Sequence, residues 1–211
     1  MDKKDSSFSV IMTVYDDARK LEENLPVFLS QEYEPGYEVI VVDESSTDDT
    51  DDVLKLLKHD NPHLYTTFIP KPNRRITRRK LALSVGIKAA KNEWVIISDI
   101  DAVPKSSEWL KELAEATSYT TDAVVGYFMK KGLRLQVFEE TFYARQLIRK
   151  EERKRGKKRQ VKFMKKLRGR YDFVAVRREK AYDILKYFEQ NVGRFQLPFI
   201  RLNIFLQALR S

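Results

Sequence analysis

From Phe8 to Tyr127, short β-branched runs alternate with stretches whose apolar residues recur at helical spacing. FSVIMTV, Phe8 to Val14, reads as a strand. Asp16 or Asp17 then offers a helix N-cap, and Ala18, Leu21, Leu25, Phe28 and Leu29 fall on one face of the helix that follows. YEVIVVD, Tyr37 to Asp43, is apolar on both faces, as a strand inside a parallel sheet must be. SSTDDTDD follows as a hydroxyl cap with acids in the first turn, and Val53, Leu56 and Leu57 are expected to form the next helical face. Leu64 to Ile69 reads as a third strand, PKPN as a loop, Ile76 to Lys91 as a helix, and Trp94 to Ser98 as a fourth strand. KSSEWLKELAEA opens another helix, and Ala123 to Tyr127 reads as a fifth strand.

Strand and helix in strict alternation predict an α/β fold, an open and mainly parallel sheet flanked by helices. In such sheets ligands bind beyond the carboxyl ends of the strands. Three strands here run into polar or acidic residues, at Thr13 to Asp16, Asp43 to Ser46 and Ser98 to Asp101. After about residue 130 the pattern degrades, although YDFVAVRRE suits a strand, Ala181 to Phe188 a short helix, and Phe199, Leu202, Phe205, Leu206 and Leu209 share a helical face. The expectation is a single domain over 1–211, with a Rossmann-like nucleotide half at 8–129 and a shortened, basic half at 130–211.

Composition narrows the chemistry. With no cysteine in 211 residues disulfides are excluded, and with His59 and His63 as the two histidines a zinc site on soft or imidazole ligands is disfavoured, so any metal is expected to be held by oxygen. Neither a signal-peptide core nor a run of 18 apolar residues is present, which suggests a cytoplasmic chain. The net charge of +9 is local: residues 145–170 carry 14 Lys/Arg against two Glu, a +12 segment that leaves the remainder at −3.

Asp99 and Asp101, one residue apart where WVIISDIDAVP leaves its strand, can converge on one hard cation. Mg2+ or Mn2+ accepts such carboxylates and completes its shell with a bound diphosphate, whose charge it neutralises as it departs. Singly, an Asp-x-Asp is commonplace on surfaces. The chain has neither G-x-G-x-x-G nor G-x-x-x-x-G-K-[ST], so dinucleotide and P-loop folds lack their phosphate cradle here.

Four ordered stretches together are more specific. FSVIMTVYDDARKLEENLPVFLSQEY, EVIVVDESSTDDT, the helix and strand of KLALSVGIKAAKNEWVIIS and the acid block of DIDAVPKSSEWL resemble the inverting, family-two-type nucleotide-sugar glycosyltransferases of the GT-A fold. FEETFYARQ and GRYDFVAVRRE more loosely resemble a membrane-associated bacterial branch of that family. The resemblance implies that Thr13, Tyr15 and Asp16 pack the nucleotide base and ribose. It makes Asp43 the acceptor for the base's imide N–H, usually of uracil, with Glu44 beside it, and it sets Lys80 against the base or phosphates. Asp99 becomes the ribose- or metal-proximal acid and Asp101 the metal ligand. The implied partners are a nucleotide-diphospho-sugar donor, usually UDP-linked, and a glycan or lipid-linked acceptor of the cell envelope or a polysaccharide.

An inverting transfer needs a carboxylate base beside the acceptor hydroxyl. The acidic pair that supplies it in the family is absent after Glu152, which leaves Glu140 or Asp183 as candidates, or else a chain that is truncated or catalytically weak and serves as a nucleotide- or membrane-binding accessory. Taken singly, Asp16 and Asp43 are as well explained as helix caps, Tyr15 as half-buried packing, and Trp94 and Trp109 as core. The basic segment is first of all a solvated face. Lipid attraction comes next, giving peripheral contact with the inner face of the membrane through 145–170 and 198–210. A phosphate clamp is the third reading, and nucleic acid is disfavoured because Phe163 and Tyr171 are too sparse for a stacking platform.

Overall fold

The structure is a computed structural model that describes residues 6–70, 78–119, 121–129, 132–139 and 172–181. Seven strands form one sheet in the order β3-β2-β1-β4-β7-β5-β6. The strands are β1 (Phe8–Val14), β2 (Tyr37–Asp43), β3 (Leu64–Phe68), β4 (Trp94–Ser98), β5 (Thr121–Met129), β6 (Gly132–Glu139) and β7 (Phe173–Arg177). The helices are α1 (Ala18–Leu29), α2 (Thr50–Asp60), α3 (Arg78–Ala89) and α4 (Trp109–Ala116).

β1, β2, β3 and β4 pair in parallel, whereas β7 runs antiparallel to both β4 and β5, and β5 antiparallel to β6. β5 therefore points the same way as β1 to β4, and only β6 and β7 run against them. This is the expected mainly parallel GT-A-like α/β sheet, with a mixed flank.

Alternation along the strands builds a core on each face, because successive side chains point to opposite sides of the pleat. Phe8, Val10, Met12 and Val14 of β1 join Val39 and Val41 of β2 beneath Leu21, Leu25 and Phe28 of α1, Leu54 of α2 and Trp109 of α4. Ile11, Ile40, Val42 and Val95 face the other way, against Ala82, Leu83 and Ile87 of α3. That closeness depends on Gly86, where an added Cβ would stand 2.5 Å from Ile11 Cγ2. Trp94 and Trp109 are core residues, each 1% exposed.

The expected elements through β5 are present, with β1, β2 and β4 at their expected bounds. In α2, however, Leu54 is buried and Val53 and Leu57 are partly so, while Leu56 is 68% exposed. The buried stripe runs through Thr50, Leu54 and Leu57, and Leu56 lies about 200° round the helix from Leu54. β6 was not expected, since it is an edge strand whose Leu133 and Leu135 pack only partly on the core. YDFVAVRRE does supply a strand, β7, which fills the sheet between β4 and β5. The basic segment, the 198–210 face and most of Ala181 to Phe188 lie outside the described residues. Among the described residues, no helix is long and apolar enough to cross a membrane.

Candidate functional site

The order of strands reverses between β1 and β4: successive strands step outward from β1 through β2 to β3, and the chain then returns to β1's other side. Loops leaving adjacent strands at such a point diverge, which opens a crevice at their carboxyl ends. Tyr15 and Asp16 leave β1 there, Asp99 and Asp101 leave β4, and Asp43 ends the neighbouring β2.

Two loops are tied together beside this crevice. Asp16 has φ 51° and Ser45 has φ 66°, a left-handed backbone that short polar residues tolerate. The Asp16 N–H donates to Ser46 Oγ at 2.9 Å, and Asp16 Oδ1 accepts the Thr47 N–H at 2.7 Å. Asp43 Oδ1 accepts the Ser46 N–H at 3.0 Å and the Ser46 hydroxyl as well. Neither Asp16 nor Asp43 caps a helix. Asp48 does so for two: its Oδ2 accepts the Ala18 N–H of α1 at 3.0 Å and its Oδ1 the Thr50 N–H of α2 at 3.1 Å. Desolvation works to raise the Asp48 pKa, but the Thr50 hydroxyl and these amides hold it below the ordinary carboxylate value.

On the α3 side Glu44 is 8% exposed, and burial raises its pKa even though the Thr13 hydroxyl, Arg79 and Arg78 favour its charge. The Thr13 hydroxyl leans toward it without completing a hydrogen bond of ordinary geometry. Tyr15 is 42% exposed, and the Arg78 guanidinium lies 4.5 Å from its ring centroid. Lys80 is buried on α3, and desolvation lowers its pKa.

The acid pair flanks Ile100, which is 1% exposed and pins the turn to the core, while Asn24 Nδ2 holds the Ile100 carbonyl at 3.2 Å. Asp99 Oδ2 receives Arg79 Nη2 at 3.0 Å, and Asp101 Oδ2 receives Lys20 Nζ at 2.8 Å. Lys20 also lies 3.2 Å from Asp17 Oδ1, and Asp101 and Asp17 together raise its pKa. Among the described residues, no group of three or more His, Asp or Glu is placed to hold a metal. An all-protein cage therefore does not fit. Two carboxylates at a mouth lined with cations do fit a divalent ion whose remaining ligands are water and phosphate oxygens.

The structure thus brings Thr13, Tyr15, Asp16, Asp43, Glu44, Lys80, Asp99 and Asp101 to the carboxyl ends of β1, β2 and β4 and the α3 face beside them. Glu140 and Asp183 lie outside the described residues. Asp172, another late acid, accepts the Phe128 N–H at 2.6 Å and braces β5 against β7. Sequence reasoning missed Lys20, Arg78 and Arg79. The available signal was the density of arginine at the start of α3, in Arg78-Arg79-Lys80.

The family model described as glycosyl transferase family 2 matches residues 9–185. No curated protein matches the chain. Among solved structures, the mannosyltransferase PcManGT of Pyrobaculum calidifontis, in complex with GDP-Man and Mn2+, is 30% identical over 55% of this chain and 34% of its own, with a TM-score of 0.45. TarS 1-349 of S. aureus, in complex with UDP-GlcNAc, is 26% identical over 56% of this chain and 33% of its own, with a TM-score of 0.47. The matches thus span about a third of those two proteins. A 4-diphosphocytidyl-2C-methyl-D-erythritol synthase from Anaerococcus prevotii covers 96% of this chain and 82% of its own, with a TM-score of 0.56 and 15% identity, a likeness of fold alone.

Proposed function

This chain belongs to glycosyl transferase family 2, and from that membership we propose that it transfers a sugar, with inversion, from a UDP-linked donor to a cell-envelope or polysaccharide acceptor. The observation that carries the reading is that acids at the ends of β1, β2 and β4 stand on one side of the sheet, where Lys20 of α1 meets Asp101 and Arg79 of α3 meets Asp99. Acids suit a divalent ion and the ribose hydroxyls, and cations suit a diphosphate.

In this reading Tyr15 offers a ring face to the base. Asp43 and the buried Glu44 supply carboxyl groups for its polar edge, and a carboxylate that accepts an imide N–H in a half-dry pocket rejects bases without that donor. Thr13 and Asp16 shape the ribose pocket, and Lys80 stands on its α3 wall. Asp99 and Asp101 would hold Mg2+ or Mn2+, which supplies charge neutralisation at the diphosphate when bound. The acceptor hydroxyl attacks the anomeric carbon from the face opposite the diphosphate as the bond from that carbon to the diphosphate oxygen breaks and UDP leaves with its electron pair. The hydroxyl proton passes to a carboxylate, for which Glu140 and Asp183 are the candidates. The basic 145–170 segment supports peripheral contact with anionic lipid or a lipid-linked acceptor.

Titration calorimetry with UDP, with and without Mn2+, on the wild type and Asp101→Ala tests this function. Mn2+-dependent binding that the substitution abolishes is expected. Unchanged affinity in Asp101→Ala removes the assigned role. Binding without sugar transfer or donor hydrolysis would instead identify an accessory protein.

A further inference from the structure

Both acids of the Asp-x-Asp stretch already have a cation. Lys20 reaches Asp101 from α1 across 81 positions of sequence, and Arg79 reaches Asp99 from the first turn of α3. A divalent ion at the same carboxylates would compete with both for the same oxygens and would be repelled by them. A diphosphate changes that balance, because its oxygens can receive the displaced ammonium and guanidinium groups while carboxylates and diphosphate share the metal. Lys20 has a second carboxylate at hand, Asp17 at 3.2 Å, so its Nζ can leave Asp101 without losing every anionic partner. The side chains of Lys20 and Asp101 are 40% and 49% exposed, so the contact is one that solvent can help to open.

We propose that Lys20 and Arg79 are exchange residues: they neutralise Asp101 and Asp99 in the unliganded protein and move to the diphosphate when it binds with a divalent cation. This rests on the donor-site reading above and adds to it a regulation of occupancy. Metal alone binds weakly, diphosphate alone binds weakly, and each strengthens the other by the same factor, as linkage requires. The device keeps the acid pair neutral and unmetallated until a donor arrives.

The test is direct titration of Mn2+, with and without UDP, into the wild type, Lys20→Met and Lys20→Arg, followed by calorimetry and by the electron paramagnetic resonance signal of free Mn2+. Lys20→Met is expected to bind Mn2+ alone about three- to fivefold more tightly, the scale of an exposed ion pair. Its affinity for UDP in the presence of Mn2+ should fall by about five- to tenfold, so the mutual strengthening shrinks. Lys20→Arg, which keeps the charge, should behave as the wild type. Unchanged or weaker Mn2+ binding by Lys20→Met, in a protein whose UDP binding needs Mn2+ and Asp101, overturns the exchange and leaves the donor site standing. A wild type that binds no UDP, or binds it indifferently to Mn2+, overturns both.

Discussion

The Ser46 hydroxyl joins two loops: it accepts the Asp16 N–H at 2.9 Å and donates its own proton to Asp43 Oδ1. The left-handed backbone at Asp16 is thus fixed by a residue 30 positions away, on the loop after the neighbouring strand. Ser46→Ala is expected to lower stability by about 1 kcal/mol in urea unfolding, the usual size of a lost hydrogen bond that is partly exposed. With UDP bound at the proposed donor site, its affinity should fall several-fold in calorimetry, because Asp16 loses its brace. An affinity equal to the wild type's would separate the loop from the donor site.

Asp48 caps α1 and α2 at once, so Asp48→Ala should cost more than a single cap, about 1–2 kcal/mol at neutral pH. Since its folded pKa lies below the ordinary value, this stability is present above the unfolded pKa and is lost as pH falls through the folded one. The gap between variant and wild type in thermal melts should therefore close in acid.

Glu44 has the opposite sign. Burial raises its pKa, so the native state holds this proton more tightly than the unfolded chain does, and stability falls as pH rises from the unfolded pKa through the folded one. Glu44→Gln is expected to melt higher than the wild type at neutral pH, with the difference vanishing below the carboxylate range. A lower melting temperature at neutral pH would mean that the charged form is held by Arg78 and Arg79 more strongly than burial opposes it.

Gly86→Ala should destabilise even though alanine favours helix by about 1 kcal/mol. Its Cβ would meet Ile11 Cγ2 at 2.5 Å, and Ile11 is a fully buried β-branched residue that cannot turn away cheaply. A loss of about 1–3 kcal/mol in urea unfolding is expected, and a shift of α3 would also carry Arg78 from the Tyr15 ring and Arg79 from Asp99, which should weaken UDP binding at the proposed donor site.

Phe173 covers Gly126, where an added Cβ would lie 2.0 Å from the ring's Cζ, and its ring stands edge-on to Trp109 at 5.1 Å. Gly126→Ala should cost about 3 kcal/mol or more, and Phe173→Leu in the same chain should recover part of that loss. Strict additivity of the two in a double-mutant cycle would rule out the contact as the cause.

Local pattern carried a great deal here. Short apolar runs rich in β-branched residues marked β1, β2 and β4 to their ends, because such runs are too brief for a helix and are bounded by polar residues. The buried face of α1 was also readable, since Leu21, Leu25, Phe28 and Leu29 recur at helical spacing. Leu56 was misplaced because Val53, Leu56 and Leu57 satisfy that spacing as well as the true stripe does, and only docking on the sheet chooses between them. β6 escaped notice because an edge strand half-covered by its neighbours leaves a weak hydrophobic signal.

The same division runs through the site. That acids stand at the ends of β1, β2 and β4, and that the sheet collects those ends on one side, followed from the order of residues alone, because parallel strands joined by helices have all their carboxyl ends together. Which cation meets which acid did not follow. Lys20 and Asp101 are 81 residues apart, and they touch because the strand order 3-2-1-4 sets the loop after β4 beside the helix after β1. The burial of Glu44, the union of Asp16 with Ser46 and the double cap at Asp48 have the same origin. Periodicity determines what a segment becomes, while the partner of a charged side chain depends on distance in space, which only the packed sheet and its helices supply.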